Sequence, residues 1–426
     1  MAKRILIDGR FVGVGDSQTR YVLELVKGVL TLDKENQYTL LIRPNGIKDA
    51  EQFLKLEIQM ANWQTEPDMN LSGKSSEPIA KYKAQKTKYS NLSIQVLDIP
   101  HYSIGEQTKL LNYLNEEKFD LVHFTQFNHP IHYKGKYVIT IQDLTLVGHL
   151  HRQNWVKRIA FGIVMKSAAK DSARIVAISK TTMDDVIDYY NVPKDKFDIV
   201  YHGVDHQNFN MTVKSRINEI NQFKKKYNIS DEYILYTGMW KRHKNLLRLL
   251  QAFEIFRKQN TDSRIQLVLV GKPDKKEPEV TAMIKRINSS GAVILRGEKE
   301  SKDLSNSLVI TTGFIEEKEL PIAYAGALAY CIPSLSEGFG WPPLEAMACG
   351  TPVISSKESC MPEILGDAPL YFDAYNVDDI AEKMKNVVFD AELRKNLIKK
   401  GLEQVKKYNW EETVEKTFEV YKKVLF

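Results

Sequence analysis

A chain of 426 residues that is 43% hydrophobic, with a formal net charge of +6, is long enough for two large domains with substantial cores and has the composition of a globular protein. A pI near 8.8 falls short of the clustered basic footprint of a dedicated nucleic-acid binder, and it suits an enzyme that handles anionic ligands or touches an anionic membrane. Three cysteines, Cys331, Cys349 and Cys360, stand outside any CxxC spacing and predict reduced, structural thiols. The opening MAKRILIDGRF enters a strand almost at once, with no apolar h-region. No later apolar run approaches the ~20 residues that cross a bilayer, so a cytoplasmic protein is expected. Short apolar runs then alternate with longer amphipathic stretches, the pattern of β-α units feeding parallel sheets. The strands predicted in the first half are RILID, YTLLI, SIQVL, LVHF, YVITI, RIVAI and FDIVY; in the second they are YILYT, IQLVLV, VILR, LVITT, LAYCI, PVIS and PLYF. The fold class is therefore α/β, two Rossmann-like domains with parallel sheets, and the active site is expected in a central cleft at the carboxyl ends of the strands. Polar, lysine-rich residues 206–230 set the boundary: 1–205 form the first domain, 206–409 the second, and 410–426 a terminal helix with the apolar stripe Val414, Phe418, Tyr421 and Val424. Residues 67–91 have little apolar periodicity and read as an insertion-like excursion.

The residues that can carry chemistry also come in chain order. Gly9, Gly13 and Gly15 lie between a strand and an amphipathic helix, but the last place of a GxGxxG pattern is held by Gln18. An NAD-dependent oxidoreductase needs a better fingerprint and remains the weaker alternative. In VITIQDLT a buried strand runs into Gln142 and Asp143 at its carboxyl end; Gln142 can hydrogen-bond but cannot titrate, and Asp143 reads equally as a turn or helix-cap residue. Residues 151–170 combine Arg152, Lys157, Arg158, Lys166 and Lys170 with Trp155, Ile159, Phe161 and Ile163. Such a helix can lie on an anionic membrane, at the inner face for a cytoplasmic protein; a core helix with a solvated face is the preferred reading. In ILYTGMWKRHKNLL a strand ends at Gly238, and Lys241, Arg242, His243 and Lys244 precede an amphipathic helix. That basic cluster is either a solvated face or a set of cationic donors for a departing, highly charged group. Gly271 with Lys272 forms another strand-end loop. In TTGFIEEKEL a strand ends at Gly313 and a helix follows Ile315, with Glu316, Glu317 and Glu319 suited to its N-terminus.

The most informative stretch is residues 336–353, SEGFGWPPLEAMACGTPV. Gly338 and Gly340 permit a tight turn with close backbone approach. Pro342 and Pro343 suit a first helical turn, and Gly350 before Thr351-Pro352 suits its end. The helix start offers N–H groups and a positive dipole end to a phosphate, although two prolines reduce the donor count. Glu337 and Glu345 flank it as directional acceptors for sugar hydroxyls, and neither need act as acid or base. An ordinary strand-loop-helix joint is the alternative. No D-x-D pair occurs and the histidines do not cluster, so neither a catalytic metal nor a cofactor is expected.

This stretch closely resembles the signature of family 4 retaining glycosyltransferases of the GT-B fold, whose E-x7-E motif is matched by Glu337 and Glu345. The blocks DLVHFTQFNHP, VITIQDLT, RIVAISKTT, IVYHGVDHQNF, ILYTGMWKRHKNLLRLLQAF, LVLVGKPD, TTGFIEEKEL and YNWEETVEKTFEVYKKVL follow in family order, and overall similarity is closest to bacterial mannosyltransferase-like members. The resemblance implies a hexosyltransferase that uses a nucleotide-sugar, with GDP-mannose ahead of UDP-glucose, and a glycan or lipid-linked glycan as hydroxyl acceptor. It further implies that Lys244 contacts the donor phosphates, helped by Arg242 and His243, that Glu337 holds the hexose and that Glu345 holds the ribose. Backbone at Gly15, Gly238, Gly271, Gly338, Phe339, Gly340 and Trp341 would lie near the diphosphate, and backbone at Ile315 and Leu320 would frame the nucleobase. Gln142 and Asp143 would meet the donor sugar, and the terminal helix would cross back to the first domain. Gln142 stands where the family has histidine, His243 where it has arginine and Trp341 where it often has leucine. With Met239, such departures leave a non-catalytic glycan- or lipid-binding protein on the same scaffold as the rival.

Overall fold

Runs rich in Ile, Val and Leu, apolar on both faces, form the strands of two parallel sheets. The computed structural model describes residues 1–14, 17–60, 82–85, 89–144, 155–230, 232–294 and 307–426. Met1–His202 with Trp410–Phe426 form one unit, and Gly203–Asn409 form the other.

In the first unit the strands are β1 (Arg4–Asp8), β2 (Gln37–Ile42), β5 (Leu92–Val96), β6 (Leu121–Phe124), β7 (Tyr137–Ile141), β8 (Arg174–Ala177) and β9 (Phe197–Ile199), while β3 (Glu57–Met60) and β4 (Tyr82–Gln85) make a separate antiparallel pair. The large sheet runs β5-β2-β1-β6-β7-β8-β9. Ile7 of β1 pairs with Leu40 on one side and His123 on the other, and its side chain is 1% exposed. The helix Trp410–Leu425 packs on this unit against the helix Ser17–Leu32. Gly28 makes that approach close: a Cβ there would lie 2.2 Å from Cγ2 of Val414. Thr413 Oγ1 donates to the carbonyl of Tyr201 at 2.8 Å, and Tyr421 OH meets His123 Nδ1 at 2.6 Å. Of the polar excursion 67–91, residues 67–81 and 86–88 lie outside the described residues. Residues 151–154 of the basic stretch do too, and the rest forms the helix Trp155–Asp171. Among the described residues no helix is long and apolar enough to cross a membrane.

The second unit holds β10 (Tyr233–Thr237), β11 (Gln266–Val270), β12 (Val309–Gly313), β13 (Ala329–Ile332), β14 (Val353–Ser356) and β15 (Leu370–Phe372), in the order β12-β11-β10-β13-β14-β15 with every pair parallel. Leu249, Leu250, Phe253 and Phe256 of the helix Leu246–Gln259 join the core with Leu267, Leu269, Cys331 and Ile354 from the strands. One expected strand is not found among the described residues: Val293 and Ile294 of VILR end the helix Pro278–Ile294, and Leu295 and Arg296 lie outside the described residues. The apolar spacing Val280, Met283, Ile284, Ile287 continues to Ile294 with helical period, and that period outweighs the short apolar run. The three cysteines are free and buried; burial pushes the Cys349 thiol up to about 12.

β1 and β10 are equivalent in position. Each is the first strand of its unit and stands third in its sheet, so its carboxyl end emerges at the middle of the edge where ligands of such sheets bind.

Candidate functional site

In the second unit β10 runs out at Thr237 into Gly238 and β11 into Gly271. Gly271 has φ +134°, and a Cβ on it would fall 2.0 Å from the carbonyl oxygen of Gly238. Only glycine lets these two loops pass so closely. The basic cluster then forms a 3-10 turn, Arg242–Lys244, stopped by Asn245 at φ +58°. Asn245 tolerates that conformation and uses its side chain as a clamp. Its Nδ2 donates to the carbonyls of Pro333 at 3.1 Å and Ala374 at 2.8 Å, while the Leu335 amide donates to the carbonyl of His243 at 2.7 Å. The basic turn is thereby tied to the chain that follows β13 and β15.

Lys244 meets Glu337 there. Its Nζ donates to Oε1 at 2.6 Å and Oε2 at 2.8 Å, and the side chains are 19% and 13% exposed. Arg242 is exposed and His243 half-buried, and Met239 is 54% exposed. Glu337 is held through its backbone. Its amide donates to Ser359 Oγ at 3.2 Å, and its carbonyl accepts from Ser359 Oγ at 2.9 Å and from the Cys360 thiol at 3.2 Å. The same thiol reaches the carbonyl of Phe339 at 3.4 Å. Gly338 lies in the turn between them, and Gly340 at φ +99° starts the helix Trp341–Ala348.

Glu345, about one turn into that helix and 5% exposed, has a different kind of partner. The hydroxyl of Tyr324 donates to its Oε2 at 3.0 Å and also meets Thr237 Oγ1 at 3.0 Å, where Tyr330 OH arrives at 3.2 Å. Burial first, then the Glu345 charge, holds the Tyr324 hydroxyl far above its usual range, so it stays a donor. Of the remaining expected residues in this unit, Phe339 is buried, edge-on to Trp341 and to Tyr408. The Trp341 indole N–H is taken by the carbonyl of Gly203 at 2.9 Å. Ile315 is buried and Leu320 half-buried. Beside them Glu316 and Glu319 form a reciprocal capping box, and Lys226 bridges to Glu319 at 2.7 Å. Lys272 lies over the ring of the exposed Phe314.

In the first unit Gln142 and Asp143 follow the last residue of β7. Asp143 is exposed and Gln142 buried, with its Oε1 2.9 Å from His202 Nε2. Tyr21, in the helix Ser17–Leu32, is 1% exposed with its hydroxyl 2.8 Å from Thr140 Oγ1, which leaves it in the core. Gly15 lies outside the described residues. Near the end of β1 a buried triad forms: Arg10 grips Asp8 through Nε at 2.9 Å and Nη2 at 2.8 Å, and Nη2 reaches Glu106 at 3.1 Å. His101 stacks on Phe11 with ring centroids 3.5 Å apart. Burial, and then the Arg10 charge, hold its pKa down at about 4.

Sequence reading missed Asn245, Tyr324, Ser359, Cys360 and His202. Asn245 had a signal, since an asparagine before a helix suits a left-handed stop. The others hold their partners from 21 to 60 positions away, and nothing in local spacing marks them. The second-unit arrangement has a defined chemistry: a part-exposed ammonium on a carboxylate, beside the start of a helix, can accept an anionic group.

Residues 86–208 match the family model described as Glycosyltransferase Family 4, and residues 218–404 match the one described as Glycosyl transferases group 1. The chain is 30% identical over 251 residues to the serotype-specific mannosyltransferase WbdA of Escherichia coli, covering 59% of this chain and 29% of that protein. It is 32% identical over 190 residues to the O-antigen chain mannosyltransferase B of Escherichia coli, covering 45% of each. These matches thus span less than half the length of either relative. In fold, the chain is similar to the Anabaena protein HepE in complex with UDP and glucose, with a TM-score of 0.70 at 13% identity over 99% of this chain and 100% of that one.

Proposed function

The chain belongs to the glycosyltransferases, with a family 4 region before a group 1 region and the GT-B fold of two Rossmann-like domains, and from this premise we propose a retaining hexosyltransferase. It moves mannose from GDP-mannose to a hydroxyl of a glycan or lipid-linked glycan; the mannosyltransferase relatives support the choice of sugar. The observation that carries the reading is the Lys244–Glu337 pair, bidentate yet part-exposed at the carboxyl edge of a parallel sheet.

On donor binding a diphosphate oxygen takes Lys244, and the freed Glu337 carboxylate accepts from a hexose hydroxyl. Glu345, oriented by Tyr324, accepts from the ribose. Backbone at Gly238, Gly271, Gly338, Phe339, Gly340 and Trp341 lets the diphosphate approach closely, and backbone at Ile315 and Leu320 frames the base. As the glycosidic bond breaks, negative charge grows on the leaving phosphate. Lys244, helped by Arg242, with His243 nearby, stabilises it together with the helix start after Gly340, and these contacts strengthen only as charge develops. The acceptor hydroxyl attacks the face the leaving group departs from and gives its proton to the leaving phosphate. Gln142 and Asp143 contact the donor sugar. The exposed Ile159, Ile163, Lys166 and Lys170 of the helix Trp155–Asp171 support a peripheral contact with an anionic membrane, which co-sedimentation with anionic vesicles checks.

A calorimetric and thermal-shift screen with GDP-mannose, UDP-glucose, UDP-N-acetylglucosamine, ADP-glucose and NAD tests the reading, because a bound ligand raises apparent stability by mass action. Selective stabilisation by one nucleotide-sugar is expected. Silence from all of them would leave a non-catalytic scaffold, and a response to NAD alone would sink the proposal. Turnover is also expected to persist in excess chelator, since Lys244 and the helix start do the work a metal would do; its loss would refute the metal-independent step.

A further inference from the structure

Gln142 holds a buried donor with no acceptor. The side chain is 9% exposed, and its Nε2 has no hydrogen-bond partner. A buried amide left so costs stability, and in a native protein it signals a ligand or a bound water. The opposite end of the carboxamide is fixed. His202 Nε2 lies 2.9 Å from Oε1; a carboxamide oxygen only accepts, so that imidazole nitrogen carries the proton. The imidazole is itself seated. It is 1% exposed, with ring centroids 4.6 Å from Tyr21 and 6.0 Å from Trp410. Tyr21 OH meets Thr140 Oγ1 at 2.8 Å, Thr140 Oγ1 meets His123 Nε2 at 2.8 Å, and His123 Nδ1 meets Tyr421 OH at 2.6 Å. Two helices and β7 therefore determine where the imidazole sits.

We propose that His202 is a positioning residue for the transfer reaction: its Nε2–H turns the Gln142 carboxamide so that the unpartnered NH2 is presented to an oxygen of the bound nucleotide-sugar. The inference rests on the proposed function. Such a donor carries no charge at any pH and adds none near a centre that becomes positive. Burial holds the imidazole neutral, with a pKa down at about 3, so the orientation survives through the whole range in which the protein works.

The test uses hydrolysis of the nucleotide-sugar by the full chain. His202→Phe keeps a ring in the seat and deletes the donor; His202→Gln returns an amide donor at similar reach. His202→Phe is expected to lower kcat/KM by about tenfold and His202→Gln by less than about threefold, the scale of one lost hydrogen bond. In a Gln142→Ala background, His202→Phe should cost nothing further in kcat/KM, since an effect routed through one partner vanishes with that partner. Equal fold-losses in both backgrounds would make His202 merely structural and overturn the proposal, as would a His202→Gln variant no better than His202→Phe. A wild-type chain that cleaves no nucleotide-sugar would overturn the proposed function on its own. The positioning is then read from the side-chain 15N shifts of His202: a protonated Nε2 supports it, and a bare Nε2 overturns it.

Discussion

Arg10 and Lys244 occupy matching places and do opposite things. Each follows the first strand of its unit, β1 or β10, and each grips carboxylate oxygens with two hydrogen bonds. Arg10 is sealed, 0% exposed against Asp8 at 4% and Glu106 at 2%. Lys244 and Glu337 keep 19% and 13% of their side chains exposed. A sealed pair has no route to exchange partners and resists removal of either member. A part-exposed pair gains little in stability and can hand its cation to an incoming anion. The difference teaches that an ion pair at a strand end signals a ligand site only when water can reach it. Burial pushes the Asp8 carboxyl up, yet the Arg10 charge and hydrogen bonds outweigh it and the net shift is downward, as in a pair built to stay closed.

The comparison can be broken most severely with acid. The first unit buries His123, His129 and His202 and half-buries His101, and burial lowers their pKa values to about 3, 4, 3 and 4 respectively. Unfolded imidazoles titrate near 6.5, so below that pH the unfolded chain takes up protons that the folded unit refuses. Stability conferred by the neutral imidazoles is complete above about pH 6.5 and is lost as pH falls toward 3. Urea unfolding of the chain from pH 7 to 4 should show the loss, and a flat profile would contradict it. Next in size is Arg10→Leu, which strands two buried carboxylates and should cost about 3–5 kcal/mol of unfolding free energy. A loss below about 1 kcal/mol would deny the triad its structural role. Lys244→Ala should leave the melting curve nearly unmoved and cut turnover by about 10²–10³-fold, the effect of one lost transition-state donor. Unchanged turnover would remove Lys244 from the mechanism. Glu345→Ala is the mildest, weakening nucleotide-sugar and free nucleoside diphosphate alike by about tenfold, or ~1.4 kcal/mol. Calorimetry that showed only sugar recognition impaired would move Glu345 off the ribose.

What the sequence made legible follows the range of the forces involved. Thirteen of the fourteen expected strands lie in the two parallel sheets, because a strand covered on both faces is written as one continuous apolar run. VILR misled because two apolar residues ending a helix look the same as two opening a strand. The glycine-rich turn before Trp341 and the helix stop at Gly350 were also local, and both formed. The partners were not local. Nothing near Lys244 indicates that its carboxylate lies 93 positions on, or that Ser359 and Cys360 pin the backbone bearing it. Trp341 was readable as a helix start, but not as the donor to the carbonyl of Gly203. Tertiary geometry alone decides which side chains meet, and so which of four adjacent basic residues becomes the one on the carboxylate.

The most direct measurement is NMR of nucleotide-sugar cleavage, following the configuration of the released hexose before it mutarotates. With GDP-α-mannose the α anomer should appear first, and Lys244→Ala should slow its appearance. First appearance of the β anomer, or no cleavage of any nucleotide-sugar, would contradict hexosyl transfer with retention at the site built by Lys244 and Glu337.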